Sequence, residues 1–167
     1  MASGDQLEKG HIHLANGDYD KAVKAFKAAV KEAEEPEGFF GLAESASALA
    51  KYSIQDIAGW YRKAIDLDPG NVYYRTAYAE FCLENGIFNA AEEQYLAVAD
   101  LDLDNAHIYM ADFAASYAKW AVEFPDRTGL EPDQISRKAL DYGLKALNMS
   151  PEDAKRLLER DQALPGP

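Results

Sequence analysis

The residues of this chain that could do chemistry are few, and their spacing works against it. Asp100-Leu101-Asp102-Leu103-Asp104 alternates acids as a calcium loop does. Such a loop needs glycine at its sixth position and glutamate at its twelfth, where this chain has Asn105 and Ala111. The segment reads as the end of a helix instead. His11 and His13 stand two residues apart, so on a helix they point nearly opposite ways and cannot share an ion. Cys82 is the sole cysteine, which excludes an internal disulfide and a multi-cysteine metal site. With no histidine or basic residue beside it in sequence, it reads as a small hydrophobe. The acidic run Glu32, Glu34, Glu35 and Glu37 straddles a turn between helices and reads as solvated charge. Glycine-rich phosphate loops and Ser/His/Asp signatures are missing. The expectation is a protein with no catalytic residue, no metal and no cofactor, the one place for a hidden enzymatic site being around Asp126-Arg127.

Composition narrows the partners. A chain of 167 residues that is 48% hydrophobic and 28% charged is globular, and its wealth of Ala, Leu, Glu and Lys favours helices. A net charge of −12 opposes nucleic acid, whose phosphates demand a lysine and arginine surface, and disfavours anionic membranes. A basic or apolar protein partner suits that charge, and so does salt adaptation of the host. The greasiest segment, Ala106 to Phe124, is broken by His107, Asp112, Lys119 and Glu123, so no membrane insertion is expected. The start, Met1-Ala2-Ser3-Gly4-Asp5-Gln6, lacks the basic and apolar stretches of a secretory signal, and a cytoplasmic location is expected.

Internal repetition organises the chain. Gly17 to Val30, Ser53 to Ile65, Gly86 to Val98 and Arg137 to Leu147 share one pattern, and their matched residues Ala29, Ala64, Val98 and Ala146 are 35, 34 and 48 residues apart. In the first three copies an apolar, usually small residue precedes an aromatic by four and a second small or apolar residue follows three later, as in Ala22, Phe26 and Ala29. That spacing is one face of a helix, with small residues admitting a neighbouring helix and the ring filling the gap beside them. Upstream of three copies lies a second helix with its own small residue, Gly10, Ser45 or Ala79, and a turn such as Asn16-Gly17 or Asn85-Gly86.

These residues resemble the tetratricopeptide repeat family, a 34-residue helix–turn–helix with small residues at its eighth, twentieth and twenty-seventh positions and an aromatic at its twenty-fourth. Lys63-Ala64-Ile65-Asp66-Leu67-Asp68-Pro69 and Lys145-Ala146-Leu147-Asn148-Met149-Ser150-Pro151 match the family's repeat ending. The family's usual tryptophan at position four is absent, Ile57 replaces a small residue and Gly143 replaces an aromatic, so packing around the latter two should be irregular. The resemblance implies an all-α protein, an α–α superhelix of about four antiparallel helix pairs. The repeats would span residues 3–37, 38–71, 72–105 and 106–151, the last split by a loop insertion over 124–133. A capping helix over 151–164 would close this single domain, begun by Ser150 as N-cap with Pro151 in the first turn.

The resemblance also implies a function: binding a protein or peptide partner along a concave groove lined by the first helix of each pair. Counting the family's groove positions gives Leu7 and His11, Phe39 and Leu42, Tyr73, Thr76 and Glu80, and His107, Met110 and Ala114. That lining is mainly apolar, and it suits a helix or an apolar segment, with Phe39, Tyr73 and Met110 as anchors. Self-assembly into a homo-oligomeric structural component is one alternative, and a small acidic secretion-type chaperone is another. Some family members clamp acidic chaperone tails with lysine, asparagine and arginine. Here the matching positions hold Leu7, His11, Ala43, Tyr73 and Ala77. A fluorescent peptide carrying such an acidic tail is therefore expected to show no saturable anisotropy change, and micromolar capture would refute that expectation.

Overall fold

A computed structural model describes residues 2–162 of the chain. The end of the expected capping helix, residues 163 and 164, lies outside the described residues. Every regular element among those described is helical: α1 (Ala2–Ala15), α2 (Tyr19–Glu32), α3 (Pro36–Ser47), α4 (Ile54–Leu67), α5 (Val72–Glu84), α6 (Phe88–Leu101), α7 (Ala106–Glu123), α8 (Pro125–Thr128), α9 (Pro132–Ala146) and α10 (Pro151–Gln162). A 3-10 turn, Leu103–Asn105, precedes α7. The chain forms two compact units, residues 1–81 and 82–167.

Helix ends follow from local chemistry. Gly17 sits at φ 75° just past α1, where its N–H reaches the Leu14 carbonyl and the next N–H, of Asp18, reaches that of His13. Two orphan carbonyls are thereby satisfied, in a conformation a side chain would disfavour. The turn after α9 uses the same two bonds, Asn148 to Lys145 and Met149 to Leu144, with asparagine at φ 51° in the glycine's place. Ser53 caps α4 by accepting the Asp56 N–H at 3.0 Å. Glu131 and Gln134 form a reciprocal capping box on α9, and Ser150 and Asp153 form one on α10.

In the first unit α1 packs on α2, α2 on α3 and α3 on α4. The contact that sets these distances is Phe26, fully buried between Gly10 of α1 and Gly41 of α3. A Cβ on Gly10 would lie 2.6 Å from the Phe26 ring, and one on Gly41 would fall inside the ring's van der Waals surface. Further along, Gly38 admits Val30 in the same way. In the next pair Tyr61 replaces phenylalanine and meets Phe40, Tyr78 and Phe81. Its hydroxyl donates to the Glu44 carboxylate, because a buried phenol needs an acceptor. Ile57, in place of a small residue, is buried all the same.

In the second unit α6 and α9 both pack on α7. Tyr95 of α6 and Tyr142 of α9 each meet Phe113 of α7, at 5.1 and 4.6 Å between ring centres. Both hydroxyls again find carboxylates, Tyr95 donating to Asp112 at 2.6 Å and Tyr142 to Glu92. Tyr142 supplies the ring that Gly143 cannot, one residue earlier, and Gly143 is left with open space where its side chain would be. The 124–133 insertion, expected as plain loop, contains the helical turn α8, since Pro125 starts it and Gly129 at φ 66° ends it. Asp102 closes the turn before α7, accepting from the Asn105 amide and from Tyr109 Oη at 2.7 Å.

Gly41→Ala is expected to cost about 1–3 kcal/mol, because the added methyl meets a ring with nowhere to move. Gly59→Ala, mid-helix in α4 with no atom within 4 Å of its added carbon, should stabilise by about 0.5–1 kcal/mol. Urea unfolding of the two variants checks both signs.

Candidate functional site

Three first helices of the first unit converge on a cleft of about 350 Å³. Its lining comes from His11 and Leu14 on α1, Glu37, Phe40, Gly41 and Glu44 on α3, and Tyr73 and Tyr74 on α5. On α3 the lining residues fall at intervals of three, one and three, which keeps them on one side of a helix. Phe40 forms the floor: it is buried, stacks on Tyr74 at 4.6 Å and lies 5.2 Å from the Tyr73 ring. Tyr73 stands up from that floor with 64% of its surface exposed.

The polar groups of the cleft are arranged around those rings. His11 Nε2 meets Glu37 Oε1 at 2.7 Å, while the His11 ring stands edge-on to Phe26. His13 turns away toward Asp18, at 3.6 Å, so the two histidines serve different acids. Glu44, half-buried, accepts from Tyr61. The Tyr74 phenol is pushed above its ordinary value, chiefly by burial and then by the charges of Glu37 and Asp68. Among the described residues no lysine or arginine lines the cleft.

The expected groove residues divide. His11 and Tyr73 line the cleft. Leu7 and Leu42 do not, being buried in the core with 9% and 2% of their surfaces exposed. Leu42 lies roughly opposite Glu37 around α3, at about 100° per residue, on the side that packs. Phe39 is half-buried under the Lys63 ammonium, 5.7 Å from its ring centre. Thr76 turns its hydroxyl back to the Val72 and Tyr73 carbonyls, and Glu80 is exposed. In the second unit His107 is exposed, Met110 is buried at 7% and Ala114 is half-buried, so Met110 is a core side chain rather than a free anchor. Counting family positions missed Glu37, Phe40, Gly41, Glu44 and Tyr74. The signal was present in Glu37-x-x-Phe40-Gly41-x-x-Glu44, which repeats across two turns of one helix face.

In the insertion, Arg127 makes contacts with Phe124 and with the turn before α6. The Arg127 guanidinium lies 4.8 Å over the Phe124 ring and donates to the Asn85 carbonyl, passing over Gly86. Among the described residues no helix is long and apolar enough to cross a membrane.

A tetratricopeptide repeat profile matches residues 6–36, which cover most of α1, the Gly17 turn and α2. The chain is a tetratricopeptide repeat protein. Over 165 residues, 93% of its length, it is 31% identical to the TPR repeat-containing protein YpiA of Bacillus subtilis (strain 168). It spans 38% of that relative. Tetratricopeptide repeats generally mediate protein–protein interaction, and the family is typically non-catalytic.

The second unit of this tetratricopeptide repeat chain contains a polar knot that works as scaffold. Glu92 receives Lys138 Nζ at 2.6 Å and the Tyr142 hydroxyl. Burial first, then Glu92, holds the Tyr142 phenol far above its ordinary value of 10.0. A raised phenol favours the proton in the folded state, so its contribution is complete below the ordinary phenol range and lost as pH climbs beyond it. The urea midpoint is expected to fall from about pH 9 to about pH 11, and less steeply in Tyr142→Phe. Equal slopes in the two proteins would contradict this.

Proposed function

We propose that the chain is a protein-interaction module whose first unit holds a segment of a partner protein in the cleft between α1, α3 and α5. The observation that carries this reading is Tyr73. It is a large ring, 64% exposed, standing over a floor of Phe40 and Tyr74 in an open cleft. Aromatic rings at the centre of a cleft are the groups that contribute most when a partner excludes water from them. A volume of about 350 Å³ accommodates a few side chains of a segment, not a folded domain. Family membership supports the same reading, since binding proteins is what these repeats generally do.

A benzophenone amino acid placed at position 73 should cross-link a protein in cells that carry this chain natively. The same group at exposed Lys31 of α2 should not give that adduct. The captured protein should then bind Tyr73→Ala at least about tenfold more weakly, with the helical circular dichroism unchanged. Identical adducts from both positions, or full binding by Tyr73→Ala, would sink the proposal.

A further inference from the structure

The cleft differs in kind from the mainly apolar groove that the family positions imply. Packing has taken Leu7 and Leu42 into the core. What remains in the cleft beside Leu14, His11 and Gly41 is aromatic and acidic. Among the described residues Glu44 accepts from the Tyr61 hydroxyl and has no cationic partner, and Glu37 pairs with His11. The lysines of this unit that form ion pairs form them elsewhere, Lys9 with Asp5, Lys21 with Asp18, Lys51 with Asp20 and Lys63 with Glu34. Tyr74, whose phenol is raised first by burial and then by the charges of Glu37 and Asp68, lies beside those carboxylates on the Phe40 floor.

We propose that this cleft takes an arginine of the partner's segment, its guanidinium lying on the Phe40, Tyr73 and Tyr74 rings and facing the carboxylates of Glu44 and Glu37. The assignment rests on the reading of the cleft as a partner site. Charge complementarity selects the occupant. A cleft with two carboxylates and no lysine or arginine among its described lining repels an acidic segment, and an aliphatic one would leave the Glu44 charge without a cationic partner. Between the two basic side chains, the flat and weakly hydrated guanidinium stacks on rings while donating in its own plane to a carboxylate. A lysine ammonium, compact and strongly hydrated, matches the charge without matching the rings. The net charge of −12 adds long-range attraction for the same kind of segment.

The test uses the full chain and a phage-displayed library of random dodecapeptides, counter-selected on Tyr73→Ala so that only cleft-dependent peptides survive. The expected result is enrichment of arginine at one position beside an apolar or aromatic residue. Replacing that arginine by lysine in a synthetic copy should weaken binding by roughly three- to tenfold, and by glutamine more. Glu44→Gln keeps an acceptor for the Tyr61 hydroxyl, so it should fold normally while binding about tenfold more weakly. It should also show a flatter dependence on salt than the parent chain, a change that a merely structural role would not produce. Tyr73-dependent peptides without a conserved basic residue would overturn the arginine assignment and leave the partner site standing. So would unchanged affinity and salt dependence in Glu44→Gln. A library that yields no Tyr73-dependent peptide would overturn both.

Discussion

The first unit depends on one steric bargain: the Phe26 ring lies where two helices would have had side chains. Gly10 and Gly41 give up their Cβ atoms, and the ring fills the space between α1 and α3. Because interiors are packed to crystal-like density, a contact of that kind sets a distance and does not merely favour one. The spacing of α1 from α3 thus fixes how far apart His11 and Glu37 stand, and they meet at 2.7 Å. A core residue with no exposure decides the polar geometry of the surface above it.

The later copies solve the same problem with tyrosine, and the substitution has electrostatic results. A phenol in that position cannot be left without an acceptor, since an unpaired buried hydroxyl costs on the order of 1–3 kcal/mol. In each case the acceptor is a carboxylate, Glu44 for Tyr61, Asp112 for Tyr95 and Glu92 for Tyr142. Part of the chain's acidity is therefore structural. Glu44, Asp112 and Glu92 are needed by the aromatic seam, which is a different origin from a general solubilising charge or adaptation to salt.

The helix pairs are legible from the sequence because they rest on local pattern. Ala22-Phe26-Ala29 and its relatives announce a packing seam, and Asn16-Gly17 and Ser53 announce helix ends whose bonds the structure contains. The cleft is less legible, for a physical reason. Family positions assume that each first helix presents the same face, yet on α3 the packing decides which face that is. Gly38 and Gly41 meet Val30 and Phe26 of α2, and Leu42, Ala43 and Ala46 are buried, so Glu37, Phe40 and Glu44 are left to line the cleft. Glu37 also looks like one more solvated charge in an acidic run, and only its pairing with His11, 26 residues away, distinguishes it. The turn of helix in the insertion is short enough for Pro125 and Gly129 to make it without any periodic signal.

The Tyr61 hydrogen bond has a consequence for Glu44 beyond satisfying a phenol. A glutamate on a helix surface ordinarily samples several rotamers, and freezing it on binding costs up to about 1.5–2 kcal/mol of side-chain entropy. Glu44 is already held through one oxygen by the Tyr61 hydroxyl. The ordering is done during folding, by a ring that belongs to the core. A contact made to Glu44 therefore starts from a preorganised acceptor, and mutations deep in the aromatic seam should be felt at the surface as lost rigidity before they are felt as lost stability.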